Sequence, residues 1–231
     1  MEGAIGRLAT VRAALTVDVP AGDIRRSPDL GGGALHDLGG YCVSAARLFG
    51  GHPERVLAER VLDGAAGPEG GVDLRLTATM RGPGEVLALF DVGLDLTRRD
   101  ELELVGTRGR LTVPDPWLCR AGAVELETGG RTERLPADPD GAWGLTGEEA
   151  DAYRIEFDVV SAAVAAGDPT RFGRADAVDQ AAVLEASAAR RPPASRSSHP
   201  PRQPGRCRRR DAAPNPRPAH RTRTSRPTCG Q

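Results

Sequence analysis

Residues 31–50 read Gly31-Gly32-Gly33-Ala34-Leu35-His36-Asp37-Leu38-Gly39-Gly40-Tyr41-Cys42-Val43-Ser44-Ala45-Ala46-Arg47-Leu48-Phe49-Gly50. Three consecutive glycines let the backbone take positive φ or approach another surface closely. A helical pattern follows. Leu38, Tyr41, Cys42, Ala45 and Leu48 or Phe49 recur at three- and four-residue spacing and predict one buried face. Gly50-Gly51 stops the helix and Pro53 prevents its return. Asp37 and Tyr41 are four apart, so both fall on one side of the helix near its N-terminus. Spacing alone leaves two readings open. Either Asp37 caps the helix and Tyr41 packs with its hydroxyl in water, or carboxylate and phenol project together as a small polar site.

The sequence on either side is strand-like. Residues 3–19 begin Gly3-Ala4-Ile5-Gly6 and then alternate, with Ala9, Val11, Ala13, Leu15 and Val17 on one face. Period two over this length predicts a β-strand with one buried face. Beyond the helix, Arg55 to Leu62, Val72 to Met80 and Val86 to Leu96 each read as a strand. Gly106-Thr107-Arg108-Gly109 and Thr128-Gly129-Gly130-Arg131 each join two short strands as a hairpin. Two helices follow. Gly147 to Ala166 is expected to bury Tyr153, Ile155 or Glu156, Phe157, Val160 and Val164. Arg174 to Ala189 is expected to bury Ala177, Val178, Ala181, Val183 or Leu184 and Ala188. The fold class these signals predict is α+β: an open, mainly antiparallel sheet with helices packed on one face.

Bulk properties divide the chain. The net charge of −1 hides 11 Arg against one acidic residue, Asp211, from Arg191 onward, while residues 1–190 hold 20 basic and 31 acidic residues. Residues 191–231 also contain nine Pro and no Val, Ile, Leu, Met, Phe, Tyr or Trp, so they cannot bury a core and are expected to be disordered. A passive tail, or translation of GC-rich DNA in the wrong frame, is the preferred reading of this segment. A nucleic-acid arm is not expected, because no aromatic is there to stack on bases. Cys42, Cys119, Cys207 and Cys229 show neither metal-ligand spacing nor a C-x-x-C pair, and His36 and His52 have no second ligand at metal spacing, so no metal site is expected. Trp117 and Trp143 read as packing or interface residues, and Glu148, Glu149 and Asp151 as a solvated cluster at a helix N-terminus. With no apolar run of membrane-spanning length and no signal sequence, a reducing, cytoplasmic setting without membrane contact is expected.

A resemblance refines the picture. Arg25, Pro28-Asp29-Leu30-Gly31-Gly32-Gly33-Ala34-Leu35, Asp37-Leu38-Gly39-Gly40-Tyr41 and Ala46-Arg47-Leu48-Phe49-Gly50 form a long ordered match. Together they resemble the C-terminal domain signature of the Gfo/Idh/MocA oxidoreductases, in the branch of glucose–fructose oxidoreductase, dihydrodiol dehydrogenase and xylose dehydrogenase. The likeness runs more loosely over about residues 2–186.

The resemblance implies a substrate-binding and oligomerisation domain over 1–190, followed by a tail over 191–231. It implies hydride transfer between NAD or NADP and a sugar, polyol or related alcohol carbon. Tyr41 would be the acid/base or proton-relay residue, Asp37 would orient Tyr41 or hold a substrate hydroxyl, and Arg25 would contact the substrate. It also implies a homo-oligomer formed through the exposed sheet face.

Two family features are not in the sequence. The dinucleotide fingerprint G-x-G-x-x-G does not occur, and all 31 basic residues are Arg, so the family's Lys beside the nicotinamide has no counterpart. The Gly-x-Ile-Gly turn at residues 3–6 resembles the family's junction between nucleotide and substrate domains. The expectation is therefore a truncated chain that is inactive alone. The alternative is a non-catalytic binding or dimerisation module that pairs with a separate nucleotide-binding partner.

Overall fold

The fold follows from one long strand lying between two others that pair with its opposite edges. In the computed structural model, residues 3–64, 71–142, 151–170 and 172–189 are described. They contain the strands β1 Leu8–Asp18, β2 Arg55–Leu62, β3 Asp73–Arg81, β4 Leu87–Gly93, β5 Asp95–Gly106, β6 Gly109–Thr112, β7 Ala123–Thr128 and β8 Arg131–Pro136. The helices are α1 Gly40–Gly50, α2 Ala152–Ala166 and α3 Arg174–Ala188. The strands form one sheet in the order β2-β3-β4-β1-β5-β6-β7-β8, antiparallel throughout except for the parallel pair β1 and β4. The expected open, mainly antiparallel sheet is what is found. The Arg- and Pro-rich segment, Trp143 and the Glu148–Glu149 pair lie outside the described residues.

One strand expectation needs correction. Val86 to Leu96 is not continuous, because β4 ends at Gly93 and β5 begins at Asp95. β4 and β5 flank β1 on opposite edges, so the chain must cross the end of β1 between them. It crosses at Leu94, whose carbonyl accepts from Val19 N–H at 2.8 Å and Arg26 Nη2 at 2.9 Å. The hairpin at Gly129-Gly130 is as expected, both glycines having positive φ (58° and 74°), the mirror-image turn that suits strand twist.

Alternation decides the two faces. Val11, Ala13 and Leu15 of β1, Leu76, Ala78 and Met80 of β3, Ala88, Phe90 and Val92 of β4, and Leu102 and Leu104 of β5 are buried under the helices. α1 lies on β1 and β4, and small residues let it come close. A Cβ on Gly50 would already touch Val86 and Val11 at 3.6 and 3.9 Å.

The opposite face is polar. Arg12, Glu103, Arg110 and Glu127 form cross-strand ion pairs at 2.7–3.5 Å, and Arg99 bridges Asp91 and Glu101 at 2.6 and 2.8 Å. Each such exposed pair is worth about 0–1 kcal/mol.

The helices depart from the expected phasing. Before α1, residues Leu35–Gly39 form a π-turn that runs into it without a break. A π-turn holds about 4.4 residues, so one turn beyond Leu38 come Cys42 and Val43 rather than Tyr41. The buried stripe is Leu38, Cys42, Val43, Ala45, Ala46 and Gly50, so Leu38, Cys42 and Ala45 are buried as expected, while Tyr41, Leu48 and Phe49 are exposed. On α2, the face expected to be buried is exposed at Tyr153, Phe157, Val160 and Val164. On α3, Val183 and Ser187 are buried but Val178 is exposed. Its inward face is partly polar because it meets a side chain and a carbonyl of the α1 segment.

Two glycines nearby should respond oppositely to a methyl group. Gly33 has φ +127°, and a Cβ there would drive into Asp73 Oδ1. Gly40 has helical φ −53° and ψ −42° with open space around it. Gly33→Ala is expected to cost about 1–3 kcal/mol, and Gly40→Ala to add about 0.5–1 kcal/mol. Urea unfolding of the two variants checks both signs.

Candidate active site

The glycine run is spent on packing rather than on a phosphate. Gly33 N–H donates to Arg25 O and Gly32 N–H to Ser27 O, each at 2.9 Å. A Cβ on Gly32 would collide with the Arg25 carbonyl. The run thus folds back on the loop that carries Arg25 and leads directly into the π-turn. The Leu35 N–H donates to Asp73 Oδ2 at 2.7 Å. Asp37 therefore does not cap the helix; a carboxylate from β3 does that work. Asp73 is half-buried, and burial raises its pKa against the opposing effect of the Leu35 N–H.

Three sequence-predicted residues converge on the N-terminal end of this helix. Arg25 is clamped by Asp23, whose Oδ1 and Oδ2 accept from Nε and Nη2 at 2.9 Å each, and Asp23 Oδ1 also accepts the Arg25 backbone N–H at 2.9 Å. The remaining amino group, Nη1, lies 3.8 Å from Asp37 Oδ2. This leaves the guanidinium fixed in plane with one end turned to Asp37. Tyr41 is 46% exposed. Its ring leans on Trp117, with centroids 6.1 Å apart and planes at 59°. Trp117 in turn is fixed by donating Nε1–H to Ala14 O at 3.0 Å. The packing role expected for Trp117 therefore falls at the candidate site itself.

Electrostatics set the protonation states. The Arg25 hydrogen bonds hold the Asp23 carboxyl far below its usual range. Asp37 is raised, chiefly by burial, with Arg25 opposing and Asp23 adding. Tyr41 is raised chiefly by burial, and the neighbouring Tyr153 hydroxyl, Asp37 and Glu156 add to the effect. A raised phenol is a hydrogen-bond donor at neutral pH. It releases its proton only to a strong base, such as an oxyanion forming within reach.

Tyr153, Glu156, Asp23 and Asp73 were not singled out by sequence as site residues. Asp23 is legible in hindsight as an Asp two positions before an Arg. Asp73 comes from a strand remote in sequence and carries no local signal.

Cys42 is fully buried packing, as expected, and burial pushes its thiol up. Among the described residues no group of three His, Cys, Asp or Glu could hold a metal ion. A concavity of about 800 Å³ lies on the opposite sheet face, between Arg12, Arg99, Arg110, Glu101 and Glu103, and not at Tyr41. The convergence of titratable groups, rather than the size of this hollow, marks the candidate site.

Comparison with known proteins places the fold among oxidoreductase domains. Residues 1–112 match the GFO/IDH/MocA C-terminal domain. An uncharacterized oxidoreductase of Rhizobium meliloti is 31% identical over 176 residues, which are 73% of this chain and 49% of that protein. D-xylose 1-dehydrogenase (NADP(+)) 2 of Haloferax volcanii is 30% identical over 189 residues, 79% of this chain and 53% of the relative. The chain spans about half the length of these curated relatives. A 3-ketoreductase from Actinomadura kijaniata, solved with NADP and TDP-benzene, superposes with a TM-score of 0.67 at 26% identity over 81% of this chain and 55% of that one. An aldose-aldose oxidoreductase from Caulobacter crescentus, complexed with glycerol, shares the fold, with a TM-score of 0.69 at 21% identity over 81% of this chain and 54% of that one.

The raised phenol has a direct test. Tyr41 and Tyr153 are the only tyrosines, so the ultraviolet titration of the chain minus that of Tyr41→Phe isolates Tyr41. Its midpoint is expected above the ordinary value of 10.0. Because the folded state then holds a proton that the unfolded state releases, stability present below pH 10 is lost as pH rises through the folded midpoint. Tyr41→Phe removes that dependence.

Proposed function

Because the chain belongs to the GFO/IDH/MocA family through its C-terminal domain, we propose that it forms the substrate half of an NAD- or NADP-dependent oxidoreductase acting on a sugar, polyol or related alcohol carbon. The observation that carries this reading is the meeting of Arg25, Asp37 and Tyr41 at one helix end, with Arg25 Nη1 and Asp37 Oδ2 3.8 Å apart. In the reductive direction the carbonyl carbon gains hydride and the Tyr41 phenol hands its proton to the oxygen as negative charge develops there. Asp37 holds a neighbouring hydroxyl or orients the phenol. The Nη1 end of Arg25 grips a second substrate oxygen. The rings of Tyr41 and Trp117 offer apolar surface to the C–H face of a sugar.

The described residues do not fit a dinucleotide. The glycine run is filled by the Arg25 backbone, and the Asp73 carboxylate beside Gly33 would repel a pyrophosphate. NAD or NADP, which supplies the hydride when bound, is therefore held by groups outside these residues, and the 231 residues alone do not turn over. Residues 1–190 act as the substrate domain and 191–231 as an appended tail, and the buried, unpaired Cys42 suits a cytoplasmic setting.

The polar sheet face, on which Val61, Leu87 and Leu89 are also exposed, is proposed to join two copies of the chain. Sedimentation velocity should show a dimer that Arg99→Glu weakens, since the change sets a third carboxylate beside Asp91 and Glu101.

Trp117 provides the readout for the substrate site. D-xylose, glucose and glycerol are titrated against intrinsic tryptophan fluorescence, and NADPH against its own emission. At least one sugar or polyol is expected to give a saturable change that Tyr41→Phe or Arg25→Ala weakens by about tenfold, with no saturable NADPH binding. A sugar signal that is equal in the wild type and both variants, or absent for every ligand, overturns the substrate assignment. Saturable NADPH binding overturns the cofactor statement.

A further inference from the structure

The Arg of the Ala46-Arg47-Leu48-Phe49-Gly50 segment takes no part in the site described above, although it lies on the same helix as Tyr41. It points away from the substrate residues to α3. Arg47 Nη2 donates to Asp176 Oδ1 at 2.8 Å and lies 3.8 Å from Asp179, and Nη1 donates to Gln180 Oε1 at 2.9 Å. Its side chain is only 11% exposed, and its Nε has no hydrogen-bond partner among the described residues.

The guanidinium settles how the Gln180 amide is turned. Arg47 can only donate, so it takes the amide oxygen, and the amide nitrogen must face the other way. There Nε2 donates to the Gly40 carbonyl at 2.7 Å. Gly40 is the joint between the π-turn that bears Asp37 and the α-helix that bears Tyr41. Leu184, one turn further along α3, closes over the same joint, its Cδ2 lying 3.8 Å from where a Cβ on Gly39 would stand.

The joint matters because a π-turn is not the default path of a helix. The alternative is regular α-helix throughout, which turns residues beyond the joint by about 100° relative to those before it. Tyr41 would then move around the helix relative to Asp37. At the other end of the π-turn the Asp73 carboxylate fixes the Leu35 N–H. The turn is thus held from β3 at its entrance and from α3 at its exit.

We propose that Gln180, with its amide oriented by Arg47, is a positioning residue that locks the π-turn and so sets the angle between Asp37 and Tyr41. The proposal rests on the reading of Asp37 and Tyr41 as the substrate-side pair. Gln180 touches neither substrate nor reacting atoms.

Two variants of the full chain separate this role from simple support of α3. Gln180→Glu keeps an oxygen for Arg47 but sets a carboxylate against the Gly40 carbonyl. Asp176→Asn weakens the Arg47 ion pair and leaves the Gln180 bond to Gly40 in place. The readouts are the Tyr41 titration midpoint, isolated by subtracting the matching Tyr41→Phe double variant, and the apparent affinity for whichever sugar or polyol binds. Gln180→Glu is expected to move the midpoint down toward 10.0, because Tyr41 turns out of the partly buried setting that chiefly raises it and away from Tyr153 and Asp37, and to weaken the ligand by about tenfold. Asp176→Asn should leave both close to wild type even where it lowers the melting temperature. If both variants lower the melting temperature and neither moves the Tyr41 midpoint, Gln180 is only a packing residue and the proposal fails. If Gln180→Glu moves the midpoint while no ligand binds any form, the lock stands and the substrate reading fails instead. Should Gln180→Glu not fold, Gln180→Met removes the same bond without adding charge and is judged by the same two outcomes.

Discussion

The candidate site depends on one close approach, that of the Asp73 carboxylate to the backbone of Gly33 and Leu35. The approach is possible because Gly33 has no Cβ and takes φ +127°. A hydrogen bond from a backbone N–H to an ionised, half-buried carboxylate is worth about 1.5–3 kcal/mol, more than the exposed ion pairs of the opposite face contribute singly. It ties the first turn of the central helical segment to β3. The neighbouring glycines bring the Arg25 loop back onto the same turn. Arg25, Asp37 and Tyr41 come from stretches that would otherwise be free to separate. The glycine run is the hinge of the site without being its chemistry.

The charges then follow from depth. Asp23, at the surface, pairs with Arg25 and stays ionised far into acid. Asp37 is partly buried and the Tyr41 ring about half covered, and that burial is the chief cause raising both. The result is a graded set: a permanent cation held in plane, a carboxylate made more basic, and a phenol kept protonated. Such a set can stabilise and protonate a developing oxyanion, but it cannot bring a hydride. This is the property the proposed substrate-side role requires.

Much of this was legible in the sequence, and the failures share a cause. Alternation located β1, β2 and β3, and Gly-rich turns located both hairpins, because a strand with one buried face leaves a period-two record. The ordered run from Arg25 to Gly50 singles out Arg25, Asp37 and Tyr41, and Arg25 Nη1 lies 3.8 Å from Asp37, four residues before Tyr41. Leu38, Cys42 and Ala45 are buried as the spacing predicts, but Tyr41 is not, because periodicity assumes 3.6 residues per turn and the π-turn before α1 adds most of a residue. The exposed stripe of Tyr153, Phe157, Val160 and Val164 shows the opposite limit: amphipathic pattern records that a face is apolar, not that this chain covers it. Asp73 and Gln180 had no local signature, since their partners lie 38 and 140 residues away.

The cost of Arg47 is the last piece. A nearly buried guanidinium whose Nε has no hydrogen-bond partner among the described residues is a poor way to hold two helices together, because an apolar pair of similar volume would avoid desolvating a charge. An apolar contact, however, tolerates small rotations and slides along the helix axis. Directed bonds from Arg47 through Gln180 to one carbonyl do not. Polar groups are worth burying where one arrangement has to be chosen over another of similar packing energy, and a helix that could continue in either α or π geometry presents that choice. The polar inward face of α3 looks like a weak core by hydrophobicity. It becomes intelligible once the segment it grips is recognised as the one that carries Asp37 and Tyr41.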